Sequence, residues 1–359
     1  MEELTLSVDV MDAFDHFFVA GLAAILEDEY STPCSWKWDD FQTVTIAMSG
    51  LDDMRAAQAV SRHVQRWAES EWLQSSGDYT ITSPHPENSK SSSIHATMSP
   101  RLSGLTEPYG WQRLQADRHK AIDALQTSGD RRYIGALGEP SYWSGRRNAS
   151  SLDADMGASR WEMVARNRGQ EFIGGRLLPL AQAVSQRDID KLRTGLLGET
   201  IDDEVGKNQS DSRSATGLHR PQVTDNARVW CALMGVSAFP HMVTTAGFTR
   251  DATAGLTQLR GLKRFSVLPV SDQFWTLAKY RSITRSAALL SSGVELVQRG
   301  ELGDAPADPS LLSQDGTVPG FDWLKEKGVV ACALFRQFVS DNASAPERWI
   351  ERGHLVPVV

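Results

Sequence analysis

The chain has 359 residues, 41% hydrophobic and 23% charged, which suits about two or three domains or one large irregular one with a real core. No apolar run approaches the ~18 residues of a membrane span, and the acidic start Met1-Glu2-Glu3 is not that of a secretory signal. A net charge of -8 argues against a free-standing nucleic-acid binder. The widely spaced Cys34, Cys231 and Cys332 point to unpaired, mostly buried thiols in a reducing, cytoplasmic setting. The total hides an asymmetry: residues 1–130 hold 9 Lys+Arg against 20 Asp+Glu, and the remainder holds 28 against 25. An acidic lobe could meet a basic protein, and a mildly basic one a phosphate backbone.

Leu4 to Val10 alternates apolar and polar residues, the period of a half-buried strand. Asp12 is placed to cap a helix over Phe14 to Leu26, with Asp15 in its first turn. Gly21 inside that helix costs stability and so implies close approach by another element. Phe41 to Met48 reads as a strand, and Leu51 to Trp72 as an amphipathic helix after Gly50. Ser75 to Pro108, rich in Ser, Pro, Thr and His, reads as a long loop or a partner-ordered segment. A helix is expected over Pro108 to Leu125, ended by Gly129-Asp130. Trp161 to Ala165 and Gln170 to Val184 look helical, Glu199 to Arg220 is polar loop, and Asn226 to Phe239 is a buried helix stopped by Pro240. Leu262 to Val270 reads as strand, Phe274 to Leu290 as helix, Gly303 to Pro319 as linker, Phe321 to Phe338 as strand or helix, and Arg348 to Val359 as a short apolar tail. The expected fold class is α+β. Its parts are an N-terminal α/β lobe (1–74), a flexible loop and helix (75–130), an Arg/Trp/Gly-rich region (131–240) and a mixed, largely helical C-terminal region (241–359).

The familiar catalytic signatures are missing: no G-x-x-x-x-G-K-[ST], no H-E-x-x-H, no C-x-x-C and no G-x-S-x-G. The eight histidines are scattered singly, so no metal and no other cofactor is expected. Asp202-Asp203-Glu204, with Asp211 nearby, is the best carboxylate cluster. It reads either as a divalent-metal site for phosphodiester cleavage or as a solvated loop paired with Lys207 and Arg213. Glu139 precedes Pro140, which keeps it out of a helix. It could be a general acid, in a loop whose Tyr142 and Trp143 either anchor it or stack on an unpaired base.

The strongest constellation is a run of arginines. Arg131, Arg132, Arg146, Arg147, Arg160, Arg166, Arg168 and Arg176 fall in a stretch without lysine, interleaved with Trp143 and Trp161 and with Gly157, Gly169, Gly174 and Gly175. Arginine presents a planar fork that grips phosphate at two points, and glycine lets backbone amides approach. The competing reading is a helix surface with salt bridges from Glu162 and Glu171.

Several stretches resemble one family. Asp15 to Leu26 (DHFFVAGLAAIL) resembles the opening helix of large-subunit proteins of type I CRISPR effector complexes. Gly138-Glu139-Pro140-Ser141-Tyr142-Trp143, Ser159-Arg160-Trp161-Glu162-Met163 and Gly169-Gln170-Glu171-Phe172-Ile173 are similar to the middle of the type I-G (formerly I-U) branch. Asp225-Asn226-Ala227 and Trp230 to Pro240 are similar to its later L-x-G-x-x-x-F-P segment. The pieces cover about half of the chain. The resemblance implies a non-enzymatic subunit that reads the protospacer-adjacent motif in double-stranded DNA and stabilises the R-loop. Its partners would be backbone subunits bearing guide RNA (crRNA) and a helicase-nuclease that the complex recruits. By position, Arg146, Arg147, Arg160, Arg166, Arg168 and Arg176 would contact phosphates. Asn148, Asn167 and Asn208 would reach base edges, and Lys207 and Arg213 the displaced strand. The alternatives are a small ferredoxin-like backbone subunit of such a complex, a metal-dependent hydrolase using Glu139 or the Asp202/Asp203/Asp211 cluster, and a protein-binding scaffold.

Overall fold

The computed structural model describes residues 2–80, 94–100, 102, 105, 108–140, 157–159, 161, 172–207, 216–240, 253–257, 264–303, 316–342 and 347–359. The alternation at the N-terminus builds β1 (Glu2–Ser7), with Leu4 and Leu6 buried opposite Ile46 and Val44 of β3 (Thr43–Met48). Between these in sequence lie α1 (Ala13–Tyr30) and β2 (Ser35–Trp38), which pairs with β3 and buries Trp36 and Trp38. A two-residue strand, β10 (Trp275–Thr276), completes an antiparallel sheet of order β1-β3-β2-β10. α2 (Asp53–Ala68) follows, its N-terminus capped by the Asp52 side chain. The run β1-α1-β2-β3-α2 with strand order β1-β3-β2 is the connectivity of a ferredoxin-like split βαβ unit up to its second helix. On the outer edge of β1, where such a unit places its last strand, no described strand pairs.

The short helix α3 (Glu71–Gln74) leads to a small hairpin of β4 (Ser76–Asp78) and β5 (Ile94–Ala96), then α4 (Pro108–Asp123). The described parts of the expected 75–108 loop are not structureless. Tyr79, Leu102 and Leu105 bury against Trp111 and Leu114 in a satellite core. Gly129-Asp130 does not end the helical region either. Thr127 caps a new helix, α5 (Ser128–Leu137), so the expected boundary at 130/131 falls inside it. Two-residue strands β6 (Gly138–Glu139) and β7 (Gly157–Ala158) pair next. A π-helical turn, Ile173–Leu177, then runs into α6 (Leu178–Ser185), followed by α7 (Ile189–Leu197). The expected buried helix before Pro240 is α8 (Asn226–Met234) continued by a 3₁₀ turn, Gly235–Ala238.

The C-terminal third adds a five-stranded antiparallel sheet to its helices. β8 (Leu256–Thr257), β9 (Phe265–Val270), β11 (Ala331–Val339) and β12 (Arg348–Ile350) form it, with β13 (His354–Pro357) also on β11. Every residue of β9 is buried. The helix expected over 274–290 is broken in two, α9 (Leu277–Thr284) and α10 (Ala287–Gln298), because the Ser286 side chain caps the second. α11 (Phe321–Glu326) precedes β11. No described helix is long and apolar enough to cross a membrane.

One hydrophobic core takes residues from Leu4 to Val358, and α1 runs through it. Residues Ala13 to Leu26 are buried on every face, so α1 is enclosed rather than one-sided. Asp12 caps it by accepting from the Phe14 N–H at 2.9 Å. Its closest neighbour is α8 with the following 3₁₀ turn. A Cβ at Gly21 would overlap the Cys231 carbonyl oxygen, and a Cβ at Gly235 would overlap that of Phe17. The two backbones therefore touch directly, as Gly21 implied. Burial pushes the thiols of Cys34 and Cys332 up to about 12 and keeps them protonated.

Gly21→Ala and Gly235→Ala are each expected to cost about 3 kcal/mol or more, since carbonyl oxygens cannot yield as side chains do. Gly135→Ala, on α5 with open space at the Cβ position, should instead gain about 0.5–1 kcal/mol. Urea denaturation of the three variants checks both signs.

Candidate nucleic-acid interface

The arginine-rich stretch is tied to the core at its ends and in its middle. At its start, β6 pairs with β7 (Gly138 with Ala158, Glu139 with Gly157), and the Ser159 N–H donates to the Leu137 carbonyl at 2.7 Å. In its middle, Trp161 is buried against Phe17 and Phe239, with ring centroids 4.6 and 5.2 Å away, and its Nε1 donates to the Ala254 carbonyl at 2.7 Å. At its end, Phe172 and Ile173 enter the core. Trp161 is thus an anchor. Of the expected contact residues, Arg146, Arg147, Asn148, Arg160, Arg166, Asn167, Arg168, Asn208 and Arg213 lie outside the described residues, as do Tyr142 and Trp143. Arg176 sits half-exposed in the π-helical turn, and Lys207 is exposed with φ 56°.

Glu139 is held by a buried cation. Arg118, whose side chain is fully enclosed on α4, donates from Nε to Glu139 Oε2 at 2.5 Å and from Nη2 to Oε1 at 3.2 Å. The same Nη2 donates to the Gly138 carbonyl at 2.9 Å. This fork fixes the start of the arginine stretch and gives Glu139 a visible structural role.

The Asp202-Asp203-Glu204 cluster is not drawn together either. Asp203 turns inward, and its Oδ1 accepts from the Gly206 N–H at 2.8 Å and from Asn226 Nδ2 at 2.9 Å. Asp202 lies 3.6 Å from Lys191. Glu204 accepts from Arg187 Nη2 at 2.6 Å and pairs with Lys191 at 2.9 Å. Burial opposes its charge, but these two cations outweigh burial and hold its carboxyl below the usual range. Among the described residues Arg187 and Lys191 pair with these carboxylates, and Arg213 lies outside the described residues. Asp211 lies outside the described residues, and among those described no three His, Cys, Asp or Glu groups are arranged to hold a metal ion. The hub is the buried Arg187, which also binds Asp225, the capping residue of α8, at 2.9 and 3.1 Å and the Asp202 carbonyl at 2.6 Å. Its partners are 15 to 38 residues away, so no local pattern marked it.

A third group surrounds the start of α1. His219 stacks on Phe14 at 4.5 Å, its Nδ1 lies 3.3 Å from Asp12 Oδ2 and its Nε2 lies 3.2 Å from Thr224 Oγ1. The hydroxyl–imidazole–carboxylate order resembles that of a nucleophile, a base and an orienting acid. Here, however, Thr224 is buried and its hydroxyl donates to the Gln222 carbonyl at 3.1 Å. Beside it, Asp15 accepts from the Asp9 N–H at 2.8 Å, and its carboxyl is raised to about 7. Burial is the main cause and the neighbouring Asp12 charge the second, against Arg228, the Asp9 amide and His219. His16 is lowered to about 4 by burial, and its Nε2–H donates to the Val10 carbonyl at 2.8 Å.

No family model, no curated protein and no solved structure matches this chain.

Asp15 gives a pH test. Its folded-state value lies above the unfolded 3.8, so its contribution is complete below pH 3.8 and is lost as pH rises through 7. Asp15→Asn should therefore gain on wild type by about 2–3 kcal/mol between pH 5 and pH 8, read from denaturant midpoints at both values. Arg187→Met should cost about 3–5 kcal/mol, because Asp225 is left buried without its partner. Arg187→Met/Asp225→Leu should recover much of that loss in the same assay.

Proposed function

We propose that the chain is a non-catalytic subunit of a type I CRISPR effector complex. It binds double-stranded target DNA, contributes to reading the protospacer-adjacent motif and stabilises the R-loop. It works in the cytoplasm beside crRNA-bearing backbone subunits and a recruited helicase-nuclease. The observation that carries this reading is the tethering of the arginine stretch. Arg118 with Glu139, Trp161 with Phe17 and Phe239, and the buried Phe172 are fixed points on the core between which the sequence carries Arg146, Arg147, Arg160, Arg166 and Arg168. Such a segment suits backbone contact, where guanidinium forks meet phosphates while base pairing reads sequence. The sequence resemblance to the type I-G branch supports the same assignment.

A second reading is a ferredoxin-like backbone subunit of such a complex. The β1-α1-β2-β3-α2 connectivity favours it. Copy number separates the two: one chain per complex supports the first, and several chains along the guide support the second. Native mass spectrometry of the complex, co-expressed with its guide RNA and neighbouring subunits, measures this. For the first reading, omitting the chain should abolish binding that depends on the motif in a mobility-shift assay across a salt series. Binding that persists without the chain, or failure of the chain to join any guide-bearing complex, would overturn it.

A further inference from the structure

Arg281 and Arg285 lie more than a hundred residues beyond the arginine stretch, on and just after α9. Four residues apart, they share one face of that helix. Like charges at this spacing repel, so the pair costs α9 stability unless something anionic meets it. Arg281 is half-buried, and one of its Nη atoms donates to the Ser237 carbonyl in the 3₁₀ turn, which fixes the direction of its guanidinium. Ser237 in turn lines a small pocket together with Arg132 of α5. Arg281 and Arg132 therefore meet at one turn of chain, and the charge of Arg285 also acts on Arg281. Arg132 is paired with Asp28 at 2.8 Å. Arg281 and Arg285 have no carboxylate within ion-pair distance among the described residues. Arg281 is held below the usual arginine range first by burial and then by the charges of Arg132 and Arg285, and it stays charged at any physiological pH. The C-terminal dipole of α9 favours cations there but supplies no counter-charge.

The pair also stands beside the anchor of the arginine stretch. Tyr280, next to Arg281, meets the Phe239 ring edge-on at 5.9 Å, and Phe239 carries Trp161 on its other contacts. We propose that Arg281 and Arg285 form a phosphate-binding patch that continues the nucleic-acid interface onto α9, gripping neighbouring phosphates of one strand. This rests on the proposed function for its nucleic-acid partner. The chemistry is sequence-independent. Two forks, one turn apart on a rigid helix, contact backbone oxygens and position the strand without reading bases.

The test uses the full chain and a fluorescein-labelled oligonucleotide of arbitrary sequence, single-stranded and duplex, with anisotropy measured across a salt series. Arg281→Gln/Arg285→Gln should lower the slope of log K against log salt by about 1.4–1.8, since each phosphate contact contributes about 0.7–0.9. Arg285→Gln alone, at an exposed position with no hydrogen bond to lose, should lower it by about 0.7–0.9 with an unchanged melting temperature. Lys279→Gln, whose ammonium lies over the Trp275 ring, should leave the slope as it is. An unchanged slope in Arg285→Gln and in the folded double variant overturns the patch. So does equal weakening of heparin and oligonucleotide by Lys279→Gln, which would mean diffuse surface charge. A chain that binds oligonucleotide through these arginines but never joins a guide-bearing complex sinks the proposed function and leaves the patch. One that joins and reads the motif indifferently to Arg285→Gln does the reverse.

Discussion

The contact on which the rest of the molecule depends is backbone against backbone, where α1 crosses α8. Gly21 meets the Cys231 carbonyl, and Gly235 meets that of Phe17. Ala20 and Ala24 on one helix and Ala227 and Ala232 on the other are small and buried as well. Close approach brings the larger side chains beside it into register. Phe17 stacks on Phe239 at 4.3 Å, and Trp161 closes over both. The apolar helix, the 3₁₀ turn and the anchor of the arginine stretch are thus one packing unit. A wider α1–α8 spacing would move all three together.

Around this unit the polar groups are used as fasteners. Arg187 ties the 202–204 loop to the cap of α8. Arg118 ties Glu139 to α4, and Arg228 reaches from α8 to the Leu196 and Ser7 carbonyls while lying over the Phe18 ring. Buried arginines suit this task because one fork satisfies several oxygens in a plane, which a lysine cannot do. The enclosed arginines of the described residues thus set the frame.

Much of the frame was legible in the sequence. The alternation of Leu4 and Leu6, the Asp12 cap, the close approach at Gly21 and the stop at Pro240 all reflect local rules, and all are present in the structure. What was not legible depends on distance along the chain. β2 is four residues long and carries two tryptophans that only a partner strand could declare. The break at Ser286 is a single cap against an otherwise continuous apolar pattern. Tyr79 and Leu102 looked too sparse to fold until α4 supplied Trp111 and Leu114. The roles of Glu139 and Asp203 were obscured in the same way, since Arg118 and Asn226 lie 21 and 23 residues away. Arg281 and Arg285 did leave a local trace, like charges one helical turn apart, which composition alone passes over.

The glycine seam also sets when the protein can fold. Gly21 and Cys231 are separated by most of the chain, and the two ends are joined as well, by the Gly353 N–H to the Met11 carbonyl at 2.8 Å and by Arg352 to Asp9. During synthesis, α1 leaves the ribosome as a largely apolar helix, well before α8 exists to cover it. Its enclosure is therefore a late, long-range event, slow in the way that non-local topologies are slow. Until it occurs, Phe17, Phe18 and Leu22 are exposed on a nascent chain at risk of aggregation. A close crossing that gives the finished molecule its rigidity thus makes its birth dependent on protection, whether by a chaperone or by rapid completion of the chain.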